Sequence, residues 1–122
     1  MITLTPIGFA YNARLVIEDD YWGEVLTKIV LDNSLSADAL NEIESFSHLD
    51  VIFYFHKVEE NKIVTGARHP RNDESLPKVG IFAQRGKNRP NRLGFTTVKL
   101  IKRDGRELTV AGLDCINETP IL

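Results

Sequence analysis

Short stretches dense in β-branched and aromatic residues recur along the chain, separated by runs rich in Gly, Pro, Asn and Asp. Residues 25–31, 51–58, 62–67, 79–84, 95–102 and 108–113 have this strand-like character. Residues 2–9 and 13–18 predict two further strands. Within residues 95–101, Phe95-Thr96-Thr97-Val98-Lys99-Leu100-Ile101 partly alternates, the pattern of a strand with one packed and one wet face. Asp104-Gly105 predicts a tight hairpin turn, because glycine accepts a positive φ and aspartate tolerates one. Glu60-Asn61 is a weaker turn signal. A single helix is predicted over residues 37–45, with Ser36 as N-cap and Leu40 and Ile43 sharing its inner face. Strands with no alternating βαβ rhythm point to a mainly β protein, a small antiparallel β-barrel with one short helix.

The chain's 122 residues fit one domain, 1–122, with enough apolar side chains to build a core. The only cysteine, Cys115, excludes an intrachain disulfide and a multi-cysteine zinc site, and suits a reducing, cytoplasmic setting. No apolar run approaches the roughly 18 residues of a membrane-spanning helix, so no membrane association is expected. Zinc-protease, nucleophile-elbow, P-loop and dinucleotide-binding motifs are absent, and no metal site is expected.

Charge changes the picture more. A formal net charge of −2 averages two unlike halves. Residues 1–60 carry eleven acidic and three basic side chains, whereas residues 61–122 carry twelve basic and six acidic ones. From Arg85 to Arg103 there are seven basic residues and no acidic one. Such asymmetry marks either a phosphate-binding face or a solvated rim.

Three clusters carry candidate chemistry. In the first, an apolar strand runs into Gln84-Arg85-Gly86-Lys87-Asn88-Arg89-Pro90-Asn91-Arg92, where planar guanidiniums suit carboxylates or phosphates. In the second, Phe46-Ser47-His48 precedes Phe53-Tyr54-Phe55-His56-Lys57. His48 suits a hydrogen-bonded turn. His56 beside the Lys57 cation favours a neutral imidazole able to accept a proton. The third is Gly112-Leu113-Asp114-Cys115-Ile116-Asn117-Glu118-Thr119-Pro120, where Asp114 suits ribose hydroxyls or an amine. Its plainer reading is an Asx-type turn, with Cys115 as a small buried packer.

Together these clusters resemble the TsaA-like (YaeB-like) family, S-adenosylmethionine-dependent methyltransferases of threonylcarbamoyladenosine in tRNA. The likeness runs through Pro6-Ile7-Gly8, Phe46-Ser47-His48, Phe53 to His56 and His69-Pro70-Arg71. It continues through Val79-Gly80-Ile81-Phe82-Ala83-Gln84-Arg85, Asn88-Arg89-Pro90-Asn91, Leu93-Gly94, Gly112-Leu113-Asp114 and Thr119-Pro120. The resemblance implies a dimeric antiparallel barrel that binds S-adenosyl-L-methionine near its subunit interface and methylates the exocyclic amine beside the tRNA anticodon. It assigns cofactor contacts to His56, Lys57, Arg85, Phe95, Asp114, Cys115, Ile116 and Asn117, with His56 as candidate proton acceptor. Arg71, Lys87, Arg89, Asn91 and Arg92 are then expected to meet RNA.

The sequence also departs from the family pattern. Glu118 stands where an Asp-Gly-Thr-Pro element has glycine, and Arg92 replaces the second proline of Arg-Pro-Asn-Pro. The family's Pro-Arg-Gln segment has no counterpart; Asp19-Asp20-Tyr21-Trp22-Gly23 occupies that region. Family members continue into an Asp-Ile-Lys-Pro-Tyr stretch that these residues do not include. Two alternatives stand beside methyl transfer to tRNA: a dimeric binder of S-adenosylmethionine or RNA, and a methyltransferase for another substrate.

Overall fold

The computed structural model describes residues 1–12, 26–84 and 86–122. Among them, eight strands alternate with short 3-10 turns: β1 (Gly8–Tyr11), β2 (Leu26–Leu31), β3 (His48–Tyr54), β4 (Ala67–Arg68), β5 (Val79–Gly80), β6 (Leu93–Asp104), β7 (Glu107–Ala111) and β8 (Thr119–Ile121). Six of them close an antiparallel barrel in the order β1-β2-β7-β6-β3-β8, and β4 and β5 form a separate ribbon.

β6 is the longest strand because it serves two partners. Its first half pairs with β3 from Leu93↔Tyr54 to Lys99↔His48. Its second half pairs with β7, across an irregularity between Leu100 and Lys102. The β6–β7 hairpin turns one residue later than its sequence suggests: Asp104 pairs with Glu107, leaving Gly105-Arg106 as the loop. Gly105 takes φ +59°, the first central position of a tight primed-type turn.

Alternation on β3 and β6 places Val51, Phe53, Gly94 and Val98 inside, with Ile52, Phe95 and Thr97 outside. Ala10, Ile29, Val51, Phe53, Val98, Leu108, Val110, Leu113, Cys115 and Ile121 form the core. Gly94 faces Phe53 across the β3–β6 pair, and a Cβ there would come closer than 3.0 Å to three atoms of the Phe53 ring. That ring is almost fully buried and meets Phe55 edge-on at 5.1 Å.

The mainly β barrel agrees with the sequence pattern, but several elements differ from it. The helix expected over 37–45 is two 3-10 turns, Ala37–Leu40 and Ile43–Ser45, broken at Glu42 with φ 69°. Ser36 still caps the first by accepting from the Asp38 amide, and Leu40 and Ile43 pack on the core. The strands expected over 62–67 and 79–84 shrink to β4 and β5. Their backbone is claimed by loops instead: Val64 N–H donates to the Asn88 carbonyl, and Ile81 N–H to that of Gly66. β1 begins at Gly8 rather than at residue 2. The strand expected over 13–18 and the acidic-aromatic segment at 19–23 lie outside the described residues. β8, read in the sequence as part of a polar loop, instead closes the barrel between β1 and β3.

Strand directions set the geometry of the site. Because every barrel pair is antiparallel, the ends of β1, β3 and β7 and the starts of β2, β6 and β8 lie at one end. Residues 55–92 and 112–118 are therefore neighbours there. The chain termini, the 3-10 turns Ala37–Leu40 and Ile43–Ser45 and the β6–β7 hairpin occupy the opposite end, where Arg103 and Arg106 donate to the carbonyls of Ala37, Asp32 and Leu35. Part of the positive charge of the second half thus braces the far end of the barrel. No helix among the described residues is long and apolar enough to cross a membrane.

Candidate cofactor and RNA site

At the loop end, a pocket of about 240 Å³ is lined by Phe53, Phe55, Gly94, Phe95, Thr96 and Asp114. Two of the expected contact residues, Phe95 and Asp114, meet at this pocket although the rest of β6 and all of β7 separate them in the chain. Phe95 lies on the outer face of β6, about half exposed, and Asp114 follows the chain reversal at Gly112, whose φ is +87°. A second pocket, of about 200 Å³, lies at the opposite end under Leu40 and Ile43, and none of the expected site residues lines it.

β3 ends at Tyr54, so His56 sits in a turn rather than on the strand. The Phe55 amide donates to the Arg92 carbonyl at 2.9 Å, and the Arg92 guanidinium returns to the Val58 carbonyl at 3.0 Å. Arg92 also lies over the Tyr54 ring, 5.6 Å from its centroid. It therefore brackets the turn that carries His56 and Lys57. Both ring nitrogens of His56 are shielded from solvent without a well-formed partner among the described residues. Burial lowers its pKa below the ordinary 6.5, and the Lys57 charge adds to that, against weaker upward pulls from Glu118 and the Tyr54 backbone. A neutral imidazole with an unused lone pair results.

The segment after Asp114 behaves differently from the expectation. Cys115 and Ile116 are core residues, and burial pushes the Cys115 thiol up to about 12, so it is a packer and not a nucleophile. The Asn117 side-chain oxygen accepts the Asn12 amide at 2.9 Å. The Asn12 side chain in turn donates to the Cys115 carbonyl at 3.2 Å and the Thr27 hydroxyl at 3.1 Å. The buried Cys115 and Ile116 and the Asn117 side chain thus hold the loop's shape. Glu118 takes φ 67°, a left-handed conformation that glycine adopts without strain.

The basic loop is organised by a residue that sequence reading passed over. Arg68 on β4 donates to the Asn88 side-chain oxygen at 2.8 Å, and Asn88 donates to the Lys62 carbonyl at 2.7 Å. Gln84 reaches the Val79 carbonyl at 2.8 Å and accepts a longer contact from Arg68. Asn88 is buried and bonded through both its side-chain oxygen and its side-chain nitrogen, which stiffens the loop from within. Arg89 donates to the Gln84 carbonyl at 2.8 Å, with its guanidinium 5.4 Å from the Phe82 ring centroid. Lys87 is half-buried, Asn91 is exposed, and Arg71 falls in the 3-10 turn Pro70–Asn72. Arg85 lies outside the described residues. Arg89 and Arg92 each spend one donor on the fold, and a guanidinium has five. His48 is remote from this end: it opens β3, and its Nδ1 is 2.8 Å from the Ser47 hydroxyl. Among the described residues, no His, Cys, Asp and Glu group gathers as a metal site.

The family described as tRNA-methyltransferase O N-terminal domain matches residues 15–122. A probable S-adenosyl-L-methionine-binding protein of Archaeoglobus fulgidus is 35% identical over 85 residues, 70% of this chain and 22% of that protein. The human tRNA (adenine(37)-N6)-methyltransferase is 36% identical over 84 residues, 69% of this chain and 19% of the human one. The chain thus spans about a fifth of the length of each of these relatives. A crystal structure of TrmO superposes with a TM-score of 0.77 at 23% identity, covering all of this chain and 55% of the other. TrmO from Pseudomonas aeruginosa gives 0.74 at 23% identity, covering all of this chain and 53% of the other. At that identity the structural likeness is one of fold.

Proposed function

The chain belongs to the tRNA-methyltransferase O N-terminal domain family, and from that premise we propose that it transfers a methyl group from S-adenosylmethionine to tRNA. The acceptor in this reading is the exocyclic amine of threonylcarbamoyladenosine beside the anticodon. The domain spans 1–122, works in the cytoplasm and acts as a homodimer.

The observation that carries the reading is the meeting of Phe95 and Asp114 at the pocket beside the His56 turn. The donor set suits the methyl donor. The Asp114 carboxylate can accept from ribose hydroxyls, Phe95 can wall the adenine, and the cationic side chains of Lys57 and Arg85 can take the amino-acid carboxylate. When bound, S-adenosylmethionine supplies a methyl group activated by a sulfonium. The protein's own part is to hold the acceptor amine in line and exclude water, and effective alignment of this kind carries much of such a barrier. His56, whose pKa burial lowers, is the residue we assign to collect the proton that the amine sheds. Arg71, Lys87, Arg89, Asn91 and Arg92 neutralise or bond RNA phosphates, a contribution that weakens with salt.

Calorimetric titration with S-adenosylmethionine tests the reading. Wild-type protein should give saturable heat, and Asp114→Ala and Arg85→Ala should each weaken binding by roughly 10- to 100-fold, the worth of a charged hydrogen bond. No heat at millimolar donor overturns the proposal.

A further inference from the structure

We propose that Phe82, backed by the guanidinium of Arg89, is a stacking platform for an unpaired base of the RNA substrate. The inference rests on the reading of the chain as a tRNA-modifying domain, and adds to it the structural class of RNA that the loop selects.

Phe82 is 70% exposed, although its neighbour Ile81 is 1% exposed and anchors the same 3-10 turn, Ile81–Ala83, in the protein. The turn is tied at both ends. Ile81 N–H donates to the Gly66 carbonyl at 2.8 Å, and Gln84 N–H closes back on the Ile81 carbonyl at 3.2 Å. The Gln84 side chain is fastened to the Val79 carbonyl at 2.8 Å. A scattered exposed aromatic needs no explanation, but this ring is presented on a braced support.

Its surroundings indicate the partner. Arg89 lies 5.4 Å from the ring centroid and is fixed there by its bond to the Gln84 carbonyl, two residues beyond Phe82. Residues 78–92 contain five basic and no acidic side chains. An apolar protein contact would have to desolvate the Arg89 cation beside the ring. An unpaired nucleotide satisfies both features at once: its base stacks on the ring while its phosphates meet the cations. A base held inside a duplex presents no free face, so the platform selects loops over paired stems.

Fluorescence anisotropy with an RNA hairpin bearing an anticodon-type loop, and with a fully paired duplex of similar length, tests this. Wild type should favour the hairpin. Phe82→Ala should weaken hairpin binding by about 5- to 100-fold, the alanine-substitution range for one stacked base, while leaving duplex binding and its salt dependence nearly unchanged. Phe82→Trp should restore hairpin affinity. Unchanged hairpin binding by Phe82→Ala, equal loss for hairpin and duplex, or no rescue by Phe82→Trp overturns the platform. So does a change from dimer to monomer in Phe82→Ala, which would assign the ring to a protein contact. The readouts separate the two levels. If wild type binds methyl donor and hairpin but Phe82→Ala matches it, the platform alone fails. If wild type binds neither, the functional reading fails and takes the platform with it.

Discussion

Adding one methyl group at Gly94 perturbs the barrel wall and the pocket together, because both are built around the same ring. A Cβ at this position lies closer than 3.0 Å to three atoms of the Phe53 ring. That ring is 1% exposed and held edge-on by Phe55, so it yields by giving up core contacts or by moving into the pocket it lines. Overpacking of a filled core costs about 1–3 kcal/mol. For a domain of this size that lowers Tm by roughly 3–15 °C. Urea denaturation of Gly94→Ala should therefore shift the midpoint downward with the slope unchanged. Shortening the opposing ring supplies the control. Phe53→Leu destabilises alone, but in combination with Gly94→Ala the two losses should fall short of their sum by about 0.5–3 kcal/mol. Donor affinity should drop in Gly94→Ala, since Gly94, Phe53 and Asp114 line one pocket. A Gly94→Ala protein as stable as wild type, or strict additivity with Phe53→Leu, would refute the packing argument.

Other substitutions probe the loops. Glu118→Gly should stabilise the protein by about 0.5–1 kcal/mol, as relief of a left-handed non-glycine outweighs the added chain entropy. It should also lower the His56 pKa further, because Glu118 pulls that value upward. Asn88→Ala strands the Arg68 guanidinium and the Lys62 carbonyl, and chemical denaturation should report a loss of about 1–3 kcal/mol. His56 takes up its proton less readily folded than unfolded, so stability should fall as pH drops through and below 6.5. An NMR titration should give His56 a pKa under that value, and His56→Gln should remove its share of the pH dependence; a pKa at or above 6.5 contradicts the burial argument.

Strand positions were legible where hydrophobic residues face the core of the barrel. β2, β6 and β7 follow the alternation seen along residues 25–31, 95–102 and 108–113. Residues 62–67 and 79–84 look equally strand-like, but tertiary bonds to Asn88 and Gly66 override their propensity. β8 was hidden because three residues including Pro120 carry almost no periodic signal. Residue types at the site were legible, and their orientation was not. Cys115 and Ile116 sit in a polar run yet point into the core, since Gly112 turns the chain at the end of β7. Arg68 and Asn12 gave no local cue: Asn12 meets partners 103 and 105 positions away, and Arg68 meets Asn88 20 positions away. The departure at Arg92 gains a physical meaning here. Its φ of 54° is closed to the proline found in the family pattern, and its side chain braces the His56 turn instead.

Transfer of labelled methyl from S-adenosylmethionine to tRNA bearing threonylcarbamoyladenosine tests the central claim most directly. The account predicts label on the exocyclic amine of that nucleoside, reduced in Asp114→Ala and restored toward wild type at higher donor concentration. Intact donor and RNA binding without any label in the nucleoside would contradict it.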